Sequence, residues 1–191
     1  MLKNFYIFRN GQSSYNLAGK LQGQSNNSVL TDKGINQAFA TAMFLKDKSI
    51  DIIVSSPQRR AKQTGNIVSK QIKAPIFYDS RFAEVDLGSA DGLSLKRLPK
   101  KHQTTLQKWQ HDSVQPRFQH GESKGELRRR ISDALSDYAT GDYQNIAVSS
   151  HNFSIMEVLQ SLNINKSSID NGEIIHLQYD GQSWKLVQTA N

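Results

Sequence analysis

Short apolar runs and helical periodicities alternate along the chain, which predicts an alternation of strands and helices. Short apolar runs are typical of buried strands, and they occur at 5–8, 50–56, the start of 75–88, and 145–150. Apolar residues that recur every three or four positions are typical of amphipathic helices, and they occur over 30–48, 57–71, 121–138 and from 152 onward. The tail, 173–188, predicts two strands joined by a hairpin turn at Asp180-Gly181.

Local signals indicate where these helices begin and which face is buried. Thr31 or Asp32 is the expected N-cap of the first helix, and Ser56 that of the second, with Pro57 at its first position. The apolar face expected for the first helix consists of Ile35, Ala38, Phe39, Ala42 and Leu45. The apolar face expected for the 121–138 helix consists of Leu127, Ile131, Ala134, Leu135 and Tyr138.

Residues 89–120 follow neither pattern, apart from a helix expected around 106–110 ("LQKWQ"). No internal repeat, low-complexity tract or Pro/Gly/Ser-rich linker divides the chain. Its 191 residues are enough to bury one hydrophobic core. We therefore expect a single domain over residues 1–191.

Strands that alternate with helices predict an α/β fold with an open, mostly parallel central sheet. In such sheets, ligands bind beyond the carboxyl ends of the strands. Three predicted strands end in polar pairs, which are Arg9-Asn10, Ser55-Ser56 and Ser150-His151. If these strands are neighbours, their polar ends meet at one crevice.

The second helix would bring Arg60 to the same crevice, because it starts directly after the strand that ends at Ser56. Helix N-termini at 57 and 152 would add partial positive charge there. Arginine binds two oxygens of a phosphate at once. The sequence therefore predicts a phosphate pocket built around Arg9, Arg60 and His151.

The net charge of +7 admits three kinds of anionic partner: a nucleic acid, an anionic membrane surface, or a phosphorylated small molecule. The densest basic clusters are 96–102 ("KRLPKKH") and 127–131 ("LRRRI"). Nucleic-acid modules usually interleave aromatic residues with such clusters, and these two lack them. We interpret both clusters as solvated surface, so they do not by themselves predict a nucleic-acid partner.

Residue types and patterns that the chain lacks exclude several further kinds of protein and site. The chain has no cysteine, which excludes a disulfide framework and thiolate metal ligands. His102, His111, His120 and His176 lack the spacing of metal ligands, so no metal site is expected. No apolar run approaches the length of about 20 residues that spans a bilayer, and the N-terminal apolar stretch is too short for a signal peptide. We expect a cytoplasmic protein with no membrane partner.

Five short motifs follow one another along the chain: "RNGQSSYN" (9–16), "SSPQRRAKQT" (55–64), "EVDLGSADG" (84–92), "GES" (121–123) and "SSHN" (149–152). In this order and spacing they resemble the motifs of the histidine phosphatase superfamily, which contains the cofactor-dependent phosphoglycerate mutases and related phosphatases. The resemblance covers most of the chain. It implies a three-layer α/β/α sandwich of the phosphoglycerate mutase type, in which 89–120 forms an insertion that covers the pocket.

The same resemblance implies roles for individual residues. Arg9, Asn16, Arg60 and His151 would bind the phosphoryl group, and Glu84 would protonate the leaving oxygen of the ester. The expected ligand is a phosphorylated small molecule or inorganic phosphate, and no cofactor is expected. The chain is short for a mutase of this family, which favours the phosphatase branch.

Asn10 departs from the family pattern at the centre of the chemistry. The family carries a histidine there, which attacks phosphorus and holds the phosphoryl group as phosphohistidine. A carboxamide nitrogen is delocalised into its carbonyl and is not a comparable nucleophile. We therefore expect phosphate binding to survive and hydrolysis to be impaired. Asn152, where the family has glycine, is a second departure.

Several interpretations remain open at this point. Asn10 is either an introduced substitution in an active phosphatase or a native residue, and Asn152 favours the native origin. A native Asn10 gives a pseudoenzyme that binds a phosphorylated ligand or a protein partner. A basic-surface nucleic-acid binder is a second class. Residual hydrolysis by direct water attack, with His151 or Glu84 as base, is a third.

Overall fold

The computed structural model describes residues 2–110 and 116–190. Within these residues, six strands form one sheet in the order β3-β2-β4-β1-β5-β6. The strands are β1 (Lys3–Arg9), β2 (Ile52–Ser55), β3 (Ile76–Tyr78), β4 (Asn145–Ser150), β5 (Ile174–Tyr179) and β6 (Trp184–Ala190). β1 to β4 run parallel, and β5 and β6 continue the sheet antiparallel on one side. The expected α/β fold with a mostly parallel sheet is confirmed.

Helices connect the parallel strands. They are α1 (Ser14–Leu17), α2 (Asp32–Leu45), α3 (Arg59–Ile72), α4 (Lys100–Gln110), α5 (Lys124–Thr140) and α6 (Asn152–Ser161). Thr31 caps α2 by accepting a hydrogen bond from the backbone N–H of Gly34, as expected. Ser123 caps α5 and forms a capping box with Glu126. No described helix is both long and apolar enough to cross a bilayer.

The alternation of side chains along β1 divides the core between the two faces of the sheet. Phe5 and Ile7 belong to a large cluster that includes the buried residues of α5 and α6. Tyr6 and Phe8 belong to a smaller cluster with the buried apolar residues of α2 and α3. The sheet therefore lies between two helical layers, with its carboxyl edge left free for a site.

Two details of the helix predictions are wrong. α3 begins at Arg59 with Gln58 as its N-cap, two residues after the predicted cap at Ser56. The Ser56 hydroxyl instead contacts the ring of His151. On α2, Ile35 and Phe39 are 37% and 42% exposed, although their periodicity predicted a buried position. The buried face of α2 is built from smaller residues, among them Gly34, Ala38 and Ala42, which allow the helix to approach its neighbours closely.

The segment 89–120 contains more regular structure than its sequence pattern predicted. A short 3-10 turn at Leu95–Arg97 leads into α4, which extends well beyond the predicted 106–110. His102 and Trp109 of α4 are buried. Residues 111–115, and with them His111, lie outside the described residues. At the other end of the chain, Gly181 (φ +101°) lies in the turn between β5 and β6, so the hairpin is confirmed.

Candidate functional site

The carboxyl ends of β2, β4 and β1 lie side by side and bring the predicted polar ends together. Arg9 pairs in register with Ser150, and Ser55 pairs with Ser149. Asn10, Ser56 and His151 each follow one of these strands directly. A cavity of about 290 Å³ opens at this edge. Five of the predicted site residues line it: Arg9, Asn10, Asn16, Arg60 and Glu84.

Two guanidinium groups, one buried and one partly buried, supply positive charge to the cavity. Arg60, in the first turn of α3, is 2% exposed and donates to the carbonyl oxygens of Gly23 (3.0 Å) and Ser25 (3.3 Å). Arg9, which is partly buried, donates to the carbonyl oxygen of Ile169 at 2.5 Å. Removal from water lowers the pKa of both guanidinium groups, and that of Arg60, at about 10, remains well above neutrality.

Among residues 2–110 and 116–190, neither guanidinium forms an ion pair with a nitrogen–oxygen distance within 4.0 Å, and the pairs in that range involve other cations. The carboxylate of Glu84 acts on both guanidinium groups only from a longer distance, and it favours their charged forms. A charge removed from water is costly unless a counter-charge or a hydrogen-bond partner lies close to it. The wall formed by Arg9 and Arg60 is therefore suited to an anion that enters the cavity.

Asn10, His151 and Ser56 form a chain of hydrogen bonds beneath the cavity. Asn10 Nδ2 donates to the carbonyl oxygen of Gly11 (2.8 Å), which places Oδ1 towards His151. His151 Nδ1 lies 3.1 Å from that Oδ1, and because a carbonyl oxygen only accepts, Nδ1 carries the hydrogen. Nε2 lies 2.7 Å from Ser56 Oγ, and the same hydroxyl lies 3.0 Å from Gln58 Oε1.

The imidazole of His151 is neutral. Its pKa lies well below the ordinary value, because burial disfavours the charged form and the guanidinium groups of Arg60 and Arg9 repel it further. The side chain is 1% exposed. His151 is not among the residues that line the cavity, and its contact with a phosphoryl group stays a prediction.

Glu84 reaches the cavity from the loop after β3. Its carboxylate accepts hydrogen bonds from the backbone N–H groups of Val85 (3.0 Å), Phe153 (3.2 Å) and Ser154 (3.1 Å). Burial raises its pKa, and Arg60 and the backbone donors oppose that rise. The first N–H groups of α6 are therefore used by a carboxylate of the protein, although the sequence had suggested that this helix end would face the ligand.

The loop after β1 is held by α1 and by the chain before β5. Ser13 caps α1 through a capping box with Asn16 and is fully buried. The Oδ1 of Asn16 accepts from Ser13 and from Asn171 Nδ2 (3.2 Å), which leaves the Asn16 amide nitrogen as its donor towards a ligand. Asn171 also donates to the carbonyl oxygen of Asn10 at 3.0 Å. No sequence motif pointed to Asn171, which comes to the site only through the fold.

Two glycines bring the loop after β1 into backbone contact with α2. A Cβ atom on Gly11 would lie 2.2 Å from the carbonyl oxygen of Gly34. A Cβ atom on Gly34 would lie 2.1 Å from the carbonyl oxygen of Gln12. The backbone N–H of Gly11 also donates to Thr64 Oγ1 of α3 at 3.1 Å. The loop therefore has a fixed position relative to both helices.

Asn152, the second departure from the family pattern, is the first residue of α6 and lines the cavity. Its Oδ1 accepts from the backbone N–H of Ile169 at 3.0 Å. The same peptide segment presents its carbonyl oxygen to Arg9. Asn152 thus fixes a segment that orients Arg9. In the described part of the chain, no group of three His, Asp or Glu side chains is arranged to hold a metal ion.

Comparison with known proteins identifies the family. Residues 5–191 match the histidine phosphatase superfamily (branch 1), and the chain belongs to this superfamily. It is 29% identical over 192 residues to a putative phosphoserine phosphatase 2 of Hydrogenobacter thermophilus, covering 97% of this chain and 94% of that protein. It is 32% identical over 130 residues to a probable phosphoglycerate mutase of Escherichia coli, covering 68% of this chain and 60% of that protein.

Solved structures agree with this fold. The native structure of a mycobacterial glucosyl-3-phosphoglycerate phosphatase matches with a TM-score of 0.85 and 21% identity, covering 97% of each chain. At that identity, the match supports the fold and leaves the ligand to be argued from the site.

Proposed function

We propose that this protein binds a phosphomonoester, with the phosphoryl group held between Arg9 and Arg60. The observation that carries the proposal is that two guanidinium groups, the buried one of Arg60 and the partly buried one of Arg9, line one cavity without an ion pair among the described residues. A phosphoryl dianion matches their charge and geometry, since each guanidinium donates two parallel hydrogen bonds. The amide nitrogen of Asn16 adds a neutral donor in the same wall.

We also propose that Asn10 stands where the family carries its phospho-accepting histidine, so that hydrolysis is impaired. The support is its place at the end of β1 between Arg9 and Gly11, in the cavity wall. Both ends of its amide are engaged, one with Gly11 and the other with His151. An amide in this position binds oxygen atoms but offers no lone pair for a covalent intermediate.

The other catalytic role carried over from the family falls to Glu84. Its burial and its raised pKa suit a carboxylic acid that would protonate the leaving oxygen of an ester. His151 is poorly placed to activate water directly, since both ring nitrogens have protein partners. The function best supported is therefore that of a phospho-ligand-binding pseudoenzyme of the phosphatase branch.

The segment 89–120 contributes to enclosing the ligand in this proposal. Leu95, Leu106 and Trp109 from this segment line the cavity opposite the loop after β1. A phosphomonoester would be covered by these residues while its phosphoryl group contacts the arginines.

Binding of inorganic phosphate to two arginine variants tests the proposal. Arg60→Met should weaken phosphate binding by about a hundredfold, because it removes charge-assisted hydrogen bonds worth about 1.5–3 kcal/mol each. Arg59→Met changes the neighbouring, exposed arginine and should leave the affinity unchanged. Isothermal titration calorimetry of the two variants and the wild type measures the difference.

Arg60→Lys is a second variant that guards against misfolding of Arg60→Met, because it keeps the positive charge and loses only the planar guanidinium group. It should give an affinity between those of the wild type and Arg60→Met. Equal phosphate affinity in all four proteins would overturn the proposal, as would the absence of saturable phosphate binding by the wild type.

A further inference from the structure

We infer that the ligand carries an apolar, ring-containing body on the ester oxygen, an inference that rests on the proposed phosphate site. The cavity extends from the arginines into a region whose wall is mainly carbon. Six apolar residues supply it: Leu21, Leu95, Leu106, Trp109, Phe153 and Met156. This surface contributes nothing to binding a phosphoryl group, and it is suited to the remainder of a ligand.

The two aromatic residues of this wall are arranged to contact a ring. Trp109 and Phe153 meet edge to face, with centroids 5.9 Å apart and an interplanar angle of 66°. The indole nitrogen of Trp109 is fully buried, so the indole presents carbon atoms to the cavity. A third ring placed beside such a pair gains both area burial and favourable aromatic contacts.

The charged residues in the same wall are engaged with protein groups. Lys124 Nζ lies 3.9 Å from the Glu157 carboxylate and donates to the carbonyl oxygen of Trp109 at 3.3 Å. Glu157 also forms an ion pair with Arg128. Lys20 Nζ lies 5.1 Å from the centre of the Tyr15 ring. The wall also contains the uncharged polar residues Gln22, Gln160 and Ser167, so the apolar side chains are one part of the surface that would recognise the ligand body.

The physical consequence is a preference between two kinds of ester. A polyol body placed against the apolar side chains would lose hydrogen bonds to water, and it would regain them only where it reaches Gln22, Gln160 or Ser167. A phenyl body would lose none and would gain from leaving water. Burying a phenyl-sized apolar group is expected to strengthen binding by about tenfold or more.

The test compares phenyl phosphate with glycerol 3-phosphate, which share the phosphoryl group and differ in the body. Calorimetry on the wild type should give phenyl phosphate the higher affinity by about tenfold or more, with inorganic phosphate competing against both. Equal affinities, or tighter binding of glycerol 3-phosphate, would overturn the inference and leave the phosphate site intact. Failure of both esters and of inorganic phosphate to bind would overturn the proposed function and this inference with it.

Paired variants test whether the apolar wall of the cavity causes the preference for phenyl phosphate. Phe153→Ala should reduce the ratio of the two affinities to within about threefold, whereas Phe77→Ala, at an exposed phenylalanine outside the cavity, should preserve it. Met156→Ala and the exposed Met43→Ala form a second pair that guards against misfolding of Phe153→Ala. Inorganic phosphate affinity should be the same in all four. If the ratio of the two ester affinities is unchanged in both Phe153→Ala and Met156→Ala, the assignment of the ligand body to this wall is contradicted.

Discussion

The side chain of Asn10 forms hydrogen bonds with its surroundings that a simple loss of function would not require. Its amide nitrogen serves the Gly11 carbonyl and its oxygen serves the neutral ring of His151. One side chain thus satisfies two buried groups that would each be costly to leave unpaired. A histidine at this position has two ring nitrogens, and pointing one of them into the cavity would leave only one for these neighbours.

Restoring the family's histidine at position 10 should therefore raise the activity and lower the stability. Asn10→His is expected to raise hydrolysis of p-nitrophenyl phosphate by at least about a thousandfold over the wild type. It should also lower the free energy of unfolding by about 1 kcal/mol, because His151 loses its acceptor. Steady-state kinetics and urea unfolding measure the two effects, and acid-labile phosphate on residue 10 identifies the intermediate.

Asn27→His, at an exposed position, is the control for adding an imidazole and should change neither quantity. Wild-type turnover equal to that of Asn10→His would show that another group performs the chemistry. A restored protein that folds and binds phosphate without turnover would show that the site departs from its relatives beyond residue 10.

The position of a residue was predictable from the sequence where it adjoins a strand end or belongs to a family motif. The end of β1 predicted the place of Arg9 and Asn10 and the resemblance implied that of Glu84; all three line the cavity, while their roles stay predictions. Asn171 and Ile169 could not be found, since their contribution is a backbone or amide contact made across the fold. Nothing in their local sequence distinguishes them from ordinary loop residues.

At the scale of elements, α5 holds the loop that carries Glu84. Arg130 donates to three backbone carbonyl oxygens of that loop, those of Arg81 (2.7 Å), Ala83 (2.7 Å) and Glu84 (3.0 Å). Its guanidinium also forms a two-point ion pair with Glu122, at 2.7 and 2.8 Å. Arg130 therefore ties this loop to α5, beside the contacts that Gln58 and Ser154 make with the same loop.

Replacing this arginine should loosen the loop measurably. Arg130→Met is expected to lower the free energy of unfolding by about 2–3 kcal/mol, because three carbonyl groups and one carboxylate lose a charged donor. Arg129→Met, at the exposed neighbouring position, should change it by less than about 0.5 kcal/mol. Urea unfolding of both variants gives the comparison. Equal losses would show that the contacts of Arg130 contribute little.

Periodicity predicted the existence of the main helices better than their ends and faces. On α2, Ile35 and Phe39 share the helical spacing of the buried alanines, so the pattern could not tell which side would face the sheet. Close packing decided the outcome in favour of the smaller residues. The start of α3 was misplaced because Ser56, a good cap by residue type, is engaged with His151.

At the scale of the whole molecule, the net charge of +7 and the charges in the cavity imply different salt dependences for anion binding. Surface cations bind nucleic acid by displacing counter-ions, and that attraction falls steeply with salt. Buried or partly buried cations are screened much less. Arg9 and Arg60 belong to the second kind, which separates a phospho-ligand binder from a nucleic-acid binder.

Salt titration should reveal which behaviour applies. Between about 50 and about 200 mM sodium chloride, affinity for phenyl phosphate should fall by less than about threefold. Any binding to duplex DNA should fall by about a thousandfold or more over the same range. Fluorescence anisotropy with labelled DNA and calorimetry with the ester provide the two curves. Tight DNA binding that falls steeply with salt and is unchanged in Arg60→Met would favour the alternative class.

The sheet and its parallel core were predictable because apolar runs and helical periods alternate without ambiguity in this chain. That residues 89–120 cover the pocket was implied by the family resemblance alone, because the sequence pattern around Leu106 and Trp109 of α4 is irregular. Long-range packing, which no local pattern encodes, determines that part of the molecule.

The contact between Gly11 and Gly34 makes the loop after β1 an immobile support for the residues it carries. Backbone atoms touch directly there, and they cannot rotate aside as a side chain can. The side chains of Leu95, Leu106 and Trp109, which line the cavity, have rotameric freedom instead. We therefore expect the dissociation rate of a ligand to respond to substitutions of these three side chains.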